Sequence, residues 1–306
     1  MSILQNRKVE QMTQFEFGFI GLGDMGSGMA AVLAQAGMRV CGVDPAQEMR
    51  DRAAQNGVTA YTDLAFLLAN SDTIVISLAS MSALANTYDL IAATSAQFPQ
   101  MIIETSTVAP RKAKELAAIS HGSGRLHLEA GMIGLPEDAR AARLFYLVGG
   151  TAKEVAKAQP FLTVTGRAFA HLGPIGSAAT VKTLNNAIGV ATMFAFTEAI
   201  VAAEALGVDP AAFVSAVIQA GGAGMSVVFE RHAARALTTS VPQPPTPINF
   251  KDMAELRAML ASCGDGFNLF DTAISIAANL PEHPGIVRAH ADMLRAKISP
   301  ESNPWN

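Results

Sequence analysis

Three groups of residues have types and spacings suited to chemistry. The first is Gly21-Leu22-Gly23-Asp24-Met25-Gly26, a G-x-G-x-x-G run. It comes after a short apolar stretch (residues 15–20) and opens a longer one of small and apolar residues (25–36). In that setting Gly21 permits a tight turn, Gly23 lets the backbone approach a pyrophosphate, and Gly26 lets helix and strand pack closely. The start of the helix then offers free N–H groups and a positive dipole end to phosphate oxygens. Alone the run is a weak signal, because methyltransferases and simple turns share it.

The second group tests the first. A dinucleotide site needs an acidic residue about 20 residues further on, at the end of the next strand, to accept both ribose hydroxyls. Asp44 stands there, after Val40-Cys41-Gly42-Val43. Its charge would repel a 2′-phosphate, and Pro45 and Ala46 come directly after it instead of an arginine. The expected cofactor is therefore NAD in preference to NADP. The plain alternative for Asp44 is a turn aspartate ahead of a proline.

The third group lies far downstream. After Gly173-Pro174-Ile175-Gly176 comes a long alanine-rich stretch carrying Lys182, Asn185 and Asn186. Lys182 and Asn186 are four apart and share one helix face. Asparagines are poor choices for a helix interior. A lysine one turn from an amide, on an otherwise apolar helix, suggests a polar site cut into a core. Partial desolvation there would lower the lysine pKa toward the range where it works as acid or base. Spacing leaves a snorkelling lysine with two surface asparagines equally open.

These groups must be held by elements. Residues 39–43, 73–77 and 101–104 are short runs suited to strands, and the last two hold β-branched residues with no internal charge, as in strands covered on both faces. Helical stretches lie between them at 46–55, 63–69, 82–94 and 110–119, the last opened by Pro110. This alternation predicts a doubly wound parallel sheet. Residues 177–206 are almost continuously helix-compatible and would span about 45 Å. Further helices are expected from Asp209-Pro210 onward and over 251–262. The expected fold class is α/β: an N-terminal Rossmann-type doubly wound sheet, then an all-α C-terminal domain, joined by a long interdomain helix. The expected division is a flexible leader (1–14), a dinucleotide-binding domain (15–173) and an all-α substrate and oligomerisation domain (174–306). Residues 242–247 (PQPPTP) read as a stiff loop.

Composition narrows the function classes. Of 306 residues, 50% are hydrophobic and 16% charged, which excludes general disorder. The net charge of −4, without a Lys/Arg run, argues against a nucleic-acid partner. Cys41 and Cys263 are too few to staple the chain and suit a reducing, cytoplasmic setting. Residues 1–14 lack the apolar run of a signal peptide. The longest uncharged stretch, 210–229, is interrupted by Gln219, Gly221, Gly222, Gly224 and Ser226, so no membrane partner is expected. His121 and His127 have no carboxylate or cysteine cluster at ligand spacing, and no metal is expected. Cys41 falls within an expected buried strand, which argues against a nucleophile.

Four blocks then carry a family resemblance: FGFIGLGDMGSGMA (17–30), ETSTVAP (104–110), GPIGSAATVKTLNN (173–186) and FKD (250–252). In family order, they make the chain resemble the β-hydroxyacid dehydrogenases. That group contains 3-hydroxyisobutyrate dehydrogenase, tartronate semialdehyde reductase and the 6-phosphogluconate dehydrogenase NAD-binding superfamily. The resemblance implies hydride transfer between a nicotinamide and a small β-hydroxy acid or its semialdehyde. It matches Lys182 to the catalytic lysine and Asn186 to the amide that orients substrate. Thr107 matches a residue at the nicotinamide end of the cofactor. Leu78 and Ala79 match the strand-end pair beside the adenosine half, where the family usually has Leu-Pro. Lys251 matches a lysine reaching the cofactor from the second domain; a solvated helix-start lysine is its alternative. Relatives are commonly homodimers or homotetramers.

The substrate block departs from the family. The family usually reads D-A-P-V-S-G-G there, whereas this chain has Glu129-Ala130-Gly131-Met132-Ile133-Gly134-Leu135, with Val148-Gly149-Gly150 further on. Gly134 is kept, and main-chain N–H groups near it are expected to hold the substrate's polar end. Ile133 replaces a serine and cannot donate a hydrogen bond. The pocket is expected to be more apolar there. Arg140 and Arg143 are nearby in sequence and read first as surface charges. Two alternatives remain: an imine or non-carboxylate carbonyl reductase, and a non-catalytic dinucleotide-binding sensor. Imine reductases typically lack the lysine, which favours carbonyl chemistry. A dead site has no reason to keep a buried lysine.

Overall fold

The structure is a computed structural model that describes residues 14–94, 99–221, 250–261, 267–279 and 286–297; the side chains of 250–255 and 286–289 lie outside the description. The leader up to residue 13, the 242–247 loop and Cys263 also fall outside the described residues.

The described chain up to His171 builds one eight-stranded sheet. Its strands are β1 (Phe15–Ile20), β2 (Val40–Val43), β3 (Thr59–Tyr61), β4 (Ser71–Ile76), β5 (Met101–Glu104), β6 (Leu126–Ile133), β7 (Leu144–Gly149) and β8 (Gly166–His171). Their order is β3-β2-β1-β4-β5-β6-β7-β8. All neighbours are parallel except β6 and β7. The chain winds outward from β1 to β3, then returns beside β1 with β4 and winds the other way. A crevice forms outside the carboxyl ends of strands where the order reverses, and ligands of such sheets bind there.

Both sheet faces are covered, because successive strand residues alternate faces and both sets are apolar. Phe17, Phe19, Val75, Met101, Ile103, Leu128 and Ala130 pack in one core. Ile20, Ile74, Ile76 and Ile102 pack in the other. The connecting helices are α1 (Asp24–Gln35), α2 (Gln47–Ala54), α3 (Leu64–Asn70), α4 (Met81–Ala93), α5 (Pro110–Gly122), α6 (Pro136–Arg140) and α7 (Ala152–Thr165). Local caps fix several starts. Asp63 accepts from the Phe66 N–H at 3.0 Å, and Thr151 and Glu154 form a reciprocal capping box at α7.

Four strands, β3 and β6 to β8, lie outside the runs that the sequence marks as strands. β6 carries His127 and Glu129, both buried. β8, GRAFAH, ends the sheet and is mostly half-buried or exposed. Tertiary partners keep charged residues inside β6, and no local pattern announces them.

The chain divides into two compact units, Met1–Lys182 and Thr183–Asn306. The division falls inside α8 (Ser177–Ala205), 29 residues long. Among the described residues, α8 alone is long and apolar enough to cross a bilayer, and half of its most apolar window is buried within the protein. The second unit's described elements past α8 are all helical: α9 (Pro210–Gln219), α10 (Phe250–Ala261), α11 (Asn268–Asn279) and α12 (Ile286–Arg295). Its core joins Ala187, Val190, Met193 and Phe194 of α8 to Leu256, Leu260, Ala273 and Ile274.

Candidate active site

The glycine turn comes directly after β1. Gly21 has φ +94°, and a Cβ there would meet the Ser77 carbonyl oxygen at 2.3 Å. A Cβ at Gly26 would lie 2.1 Å from the Gly21 carbonyl oxygen, so only hydrogen lets α1 approach the turn. Gly23 differs, because a Cβ there would meet nothing within 4 Å. Its position is open for a close approach from outside, at the start of a 12-residue helix. Leu22 is fully buried and packs on Gly42, whose Cβ would clash with it at 2.6 Å. Met25 packs partly buried against the core. Asp24 is more than half exposed and pairs with Arg52 at 2.9 Å.

Asp44 sits at the carboxyl end of β2, half-buried. Its Oδ2 accepts the Leu22 N–H at 2.9 Å and its Oδ1 accepts the Ala46 N–H at 2.9 Å. Both oxygens are thus fixed in place while keeping further lone pairs for hydroxyl donors. Arg50 turns its guanidinium to the main-chain carbonyls of Asp44 and Pro45, at 2.7 and 2.9 Å. A cleft of about 300 Å³ brings Gly21, Asp44 and Leu78 together with Thr62, Leu64 and Asn86. Sequence reasoning passed over the last three, which reach the cleft from different elements.

The β4 and β5 ends are tied to each other. The Leu78 N–H donates to Ser106 Oγ at 2.9 Å. The Ser106 N–H donates to Glu104 Oε1 at 2.8 Å, and Tyr88 Oη donates to Glu104 Oε2 at 3.0 Å. Glu104 is 1% exposed. Burial pushes its carboxyl up to about 7, against the lowering effect of these hydrogen bonds and with a smaller upward push from Glu129. Ala79 and Thr107, just beyond Leu78 and Ser106, are exposed.

Lys182 is half-buried, and its Nζ donates to the Met132 carbonyl oxygen at 2.5 Å. Met132 lies near the carboxyl end of β6, on the same sheet edge as the ends of β1, β4 and β5. Asn186, one turn further along α8, is also half-buried and Asn185 is exposed. Lys251 lies in the first turn of α10; its side chain lies outside the described residues.

At the substrate block, Gly134 is exposed with φ +147°, and a Cβ there would press on Leu144 at 2.8 Å. The expectation of free amides beside it needs a correction at one position. The Leu135 N–H already donates to Asp138 Oδ2 at 2.9 Å, because it lies at the start of α6. Asp138 in turn pairs with Arg143 at 3.2 Å, and Arg143 is exposed. His127 of β6 is buried. Its Nδ1 shares a 3.0 Å hydrogen bond with Ser120 Oγ, and burial holds its pKa down to about 3. Cys41 is buried and its thiol is pushed up to about 11 by desolvation, so it is inert. Among the described residues no cluster of His, Cys, Asp or Glu could hold a metal ion.

The residues present fit a dinucleotide. Gly23 leaves the cradle that a pyrophosphate needs, α1 supplies first-turn amides, and Asp44 presents two fixed acceptors to a ribose.

Comparison with known proteins agrees. A family model described as the NAD binding domain of 6-phosphogluconate dehydrogenase matches residues 16–173. A second, described as NAD-binding of NADP-dependent 3-hydroxyisobutyrate dehydrogenase, matches residues 176–296. The probable 3-hydroxyisobutyrate dehydrogenase of Mycobacterium tuberculosis is 31% identical over 234 residues, which is 76% of this chain and 78% of that protein. The NAD-dependent L-serine dehydrogenase of Pseudomonas aeruginosa is 29% identical over 197 residues, 63% of this chain and 66% of its own. A solved structure of the Mycobacterium tuberculosis 3-hydroxyisobutyrate dehydrogenase with L-serine superposes with a TM-score of 0.75 at 27% identity, covering 93% of this chain and 99% of that one.

Proposed function

The chain belongs to the β-hydroxyacid dehydrogenase family, and on that premise we propose that Lys182 is the general acid/base for hydride transfer between NAD and a small β-hydroxy acid. The protein is an NAD(P)-dependent dehydrogenase acting on CH–OH groups. The observation that carries the finer reading is the half-buried Lys182 amine, held at the same strand-end edge as the glycine turn and the Leu78–Ser106 bracket.

When bound, the nicotinamide supplies the hydride acceptor for oxidation and the donor for reduction. The protein's part is the proton. In oxidation the neutral Lys182 amine accepts the substrate hydroxyl proton as the C–H bond gives up hydride. In reduction the ammonium returns that proton to the carbonyl oxygen. Such a positioned group typically contributes about 100- to 10,000-fold. Gly23 and the first amides of α1 would receive the diphosphate, and Asp44 would take the ribose hydroxyls. Leu78 and Ala79 would flank the adenosine half, and Thr107 would line the nicotinamide end. Asn186 orients the substrate, and the backbone at Gly134 bounds its pocket. Asp44 supports NAD over NADP, since a carboxylate on fixed amides cannot retreat from a 2′-phosphate.

The substrate reading rests on family and on names. One relative is named for 3-hydroxyisobutyrate and another for L-serine, both β-hydroxy acids. Ile133 favours a second reading, reduction of an imine or a carbonyl without a carboxylate, since it and the occupied Leu135 amide leave fewer donors for an anion. The enzyme is proposed to work in the cytoplasm as a homodimer or homotetramer.

The test is NADH production from a panel of β-hydroxy acids, with wild type and Lys182→Ala. The expected result is turnover by wild type and a loss of about 100-fold or more in Lys182→Ala with NADH binding intact. Turnover of imines alone would favour the second reading. NADH binding without turnover of any alcohol, aldehyde or imine would leave only a dinucleotide sensor.

A further inference from the structure

One buried carboxylate has no part in that mechanism. Glu129 of β6 is 4% exposed. Its Oε2 accepts the Gly176 N–H at 2.8 Å and its Oε1 accepts the Ala179 N–H at 2.5 Å. The Ala178 N–H bonds to it as well. These amides begin α8 and have no partner inside the helix. Gly149 makes room for the carboxylate, since a Cβ there would lie 2.5 Å from Oε2.

Stability alone does not explain this arrangement. A local Ser, Thr or Asp caps a helix well, as Asp63, Thr151 and Asp209 do in this chain. The α8 cap comes instead from a residue 47 and 50 positions away in sequence from the amides it holds. It also requires burying a carboxylate, which carries a desolvation cost. What a long-range cap adds is register between strand and helix. Three residues along the same strand, the Met132 carbonyl accepts from Lys182 Nζ. β6 therefore grips α8 at its first turn through a side chain and at Lys182 through its backbone. The two points fix both the rotation and the height of the helix.

We propose that Glu129 is a positioning residue for Lys182, setting the place of its amine by clamping the start of α8 to β6. This rests on the reading of Lys182 as the acid/base. Misplacing a catalytic group by about 1 Å can cost on the order of 100-fold in rate.

The experiment compares wild type, Glu129→Gln, Lys182→Ala and the double variant, using the best β-hydroxy acid from the panel. It also tracks NADH binding by fluorescence and acylation of Lys182 in the cofactor-free protein by mass spectrometry. Glu129→Gln sets an amide NH₂ against backbone N–H groups. It is expected to lower kcat roughly tenfold or more, leave the NADH Kd unchanged and speed acylation of Lys182 as its amine leaves Met132. In the Lys182→Ala background it is expected to lower residual kcat no further. An equal loss in both backgrounds, a parallel loss of NADH affinity, or unchanged kcat with unchanged acylation would overturn the proposal. Wild-type kcat in Lys182→Ala would instead overturn the function reading. Should Glu129→Gln fail to fold, Glu129→Asp enters the same cycle: it keeps the charge, shortens the reach by one methylene, and is expected to show the same non-additivity with a smaller loss.

Discussion

Replacing Glu104 by glutamine should change how stability depends on pH. Glu104 is 1% exposed at the end of β5, where burial is the largest influence on its carboxyl. Its pKa rises from 4.5 to about 7 on folding. Below pH 4.5 the group is protonated in both states and contributes nothing. As pH rises from 4.5 to 7 the unfolded chain releases the proton first, so the native state binds more protons and stability falls. Above pH 7 the full cost is present. A shift of about 2.5 units is worth about 3 kcal/mol. Glutamine keeps the shape, an acceptor for the Ser106 N–H and a donor toward Tyr88, but never ionises. Glu104→Gln should therefore gain on wild type as pH rises from 5 to 8, by about 2–3 kcal/mol. Titrating groups not coupled to Glu104, such as buried His127, are common to both proteins and cancel in the difference, whereas the smaller upward push from Glu129 is part of the effect removed. Urea denaturation monitored by circular dichroism at pH 5, 6, 7 and 8 measures the gap. A gap that stays constant across that range would refute desolvation as the dominant influence on this carboxyl.

His127 works in the opposite sense: its folded pKa of about 3 lies below the ordinary 6.5. It stabilises the fold above pH 6.5 and loses that contribution as pH falls toward 3, so His127→Gln should show a flatter acid limb in melting temperature against pH. Gly26→Ala puts a Cβ 2.1 Å from the Gly21 oxygen. It should cost roughly 1–3 kcal/mol in urea denaturation and weaken NADH binding by calorimetry. Asp44→Ala removes the acceptor of the Leu22 and Ala46 amides. The ratio of NADPH to NADH dissociation constants should fall toward one, and an unchanged ratio would count against Asp44 as the ribose ligand.

Sequence determined much of the dinucleotide half. The glycine turn, Asp44 and the alternation of short apolar runs with helices depend on local backbone geometry and on period-two burial, both written in neighbouring residues. Ile74 with Val75, and Ile102 with Ile103, sit in strands covered on both faces, as their uncharged runs imply. The long α8 and the helical character of the described chain beyond it were legible from composition alone.

Tertiary structure decided the rest. Nothing local marks β6 as a strand, because His127 and Glu129 interrupt it with polar and charged groups, accommodated by Ser120 of the preceding helix and by the amides at the start of α8. The same applies to Glu104, an ordinary acidic residue in sequence whose carboxyl is pushed up to about 7 by burial in the fold, with the Tyr88 hydrogen bond pulling the other way. Main-chain donors beside Gly134 looked free in the sequence, and a capping aspartate three residues on took the Leu135 amide. Whether a polar group is available, charged or occupied depends on what the fold brings against it. Tyr88 for Glu104, and Gly176 and Ala179 for Glu129, lie 16 to 50 residues away along the chain, at separations that residue types and spacing do not encode.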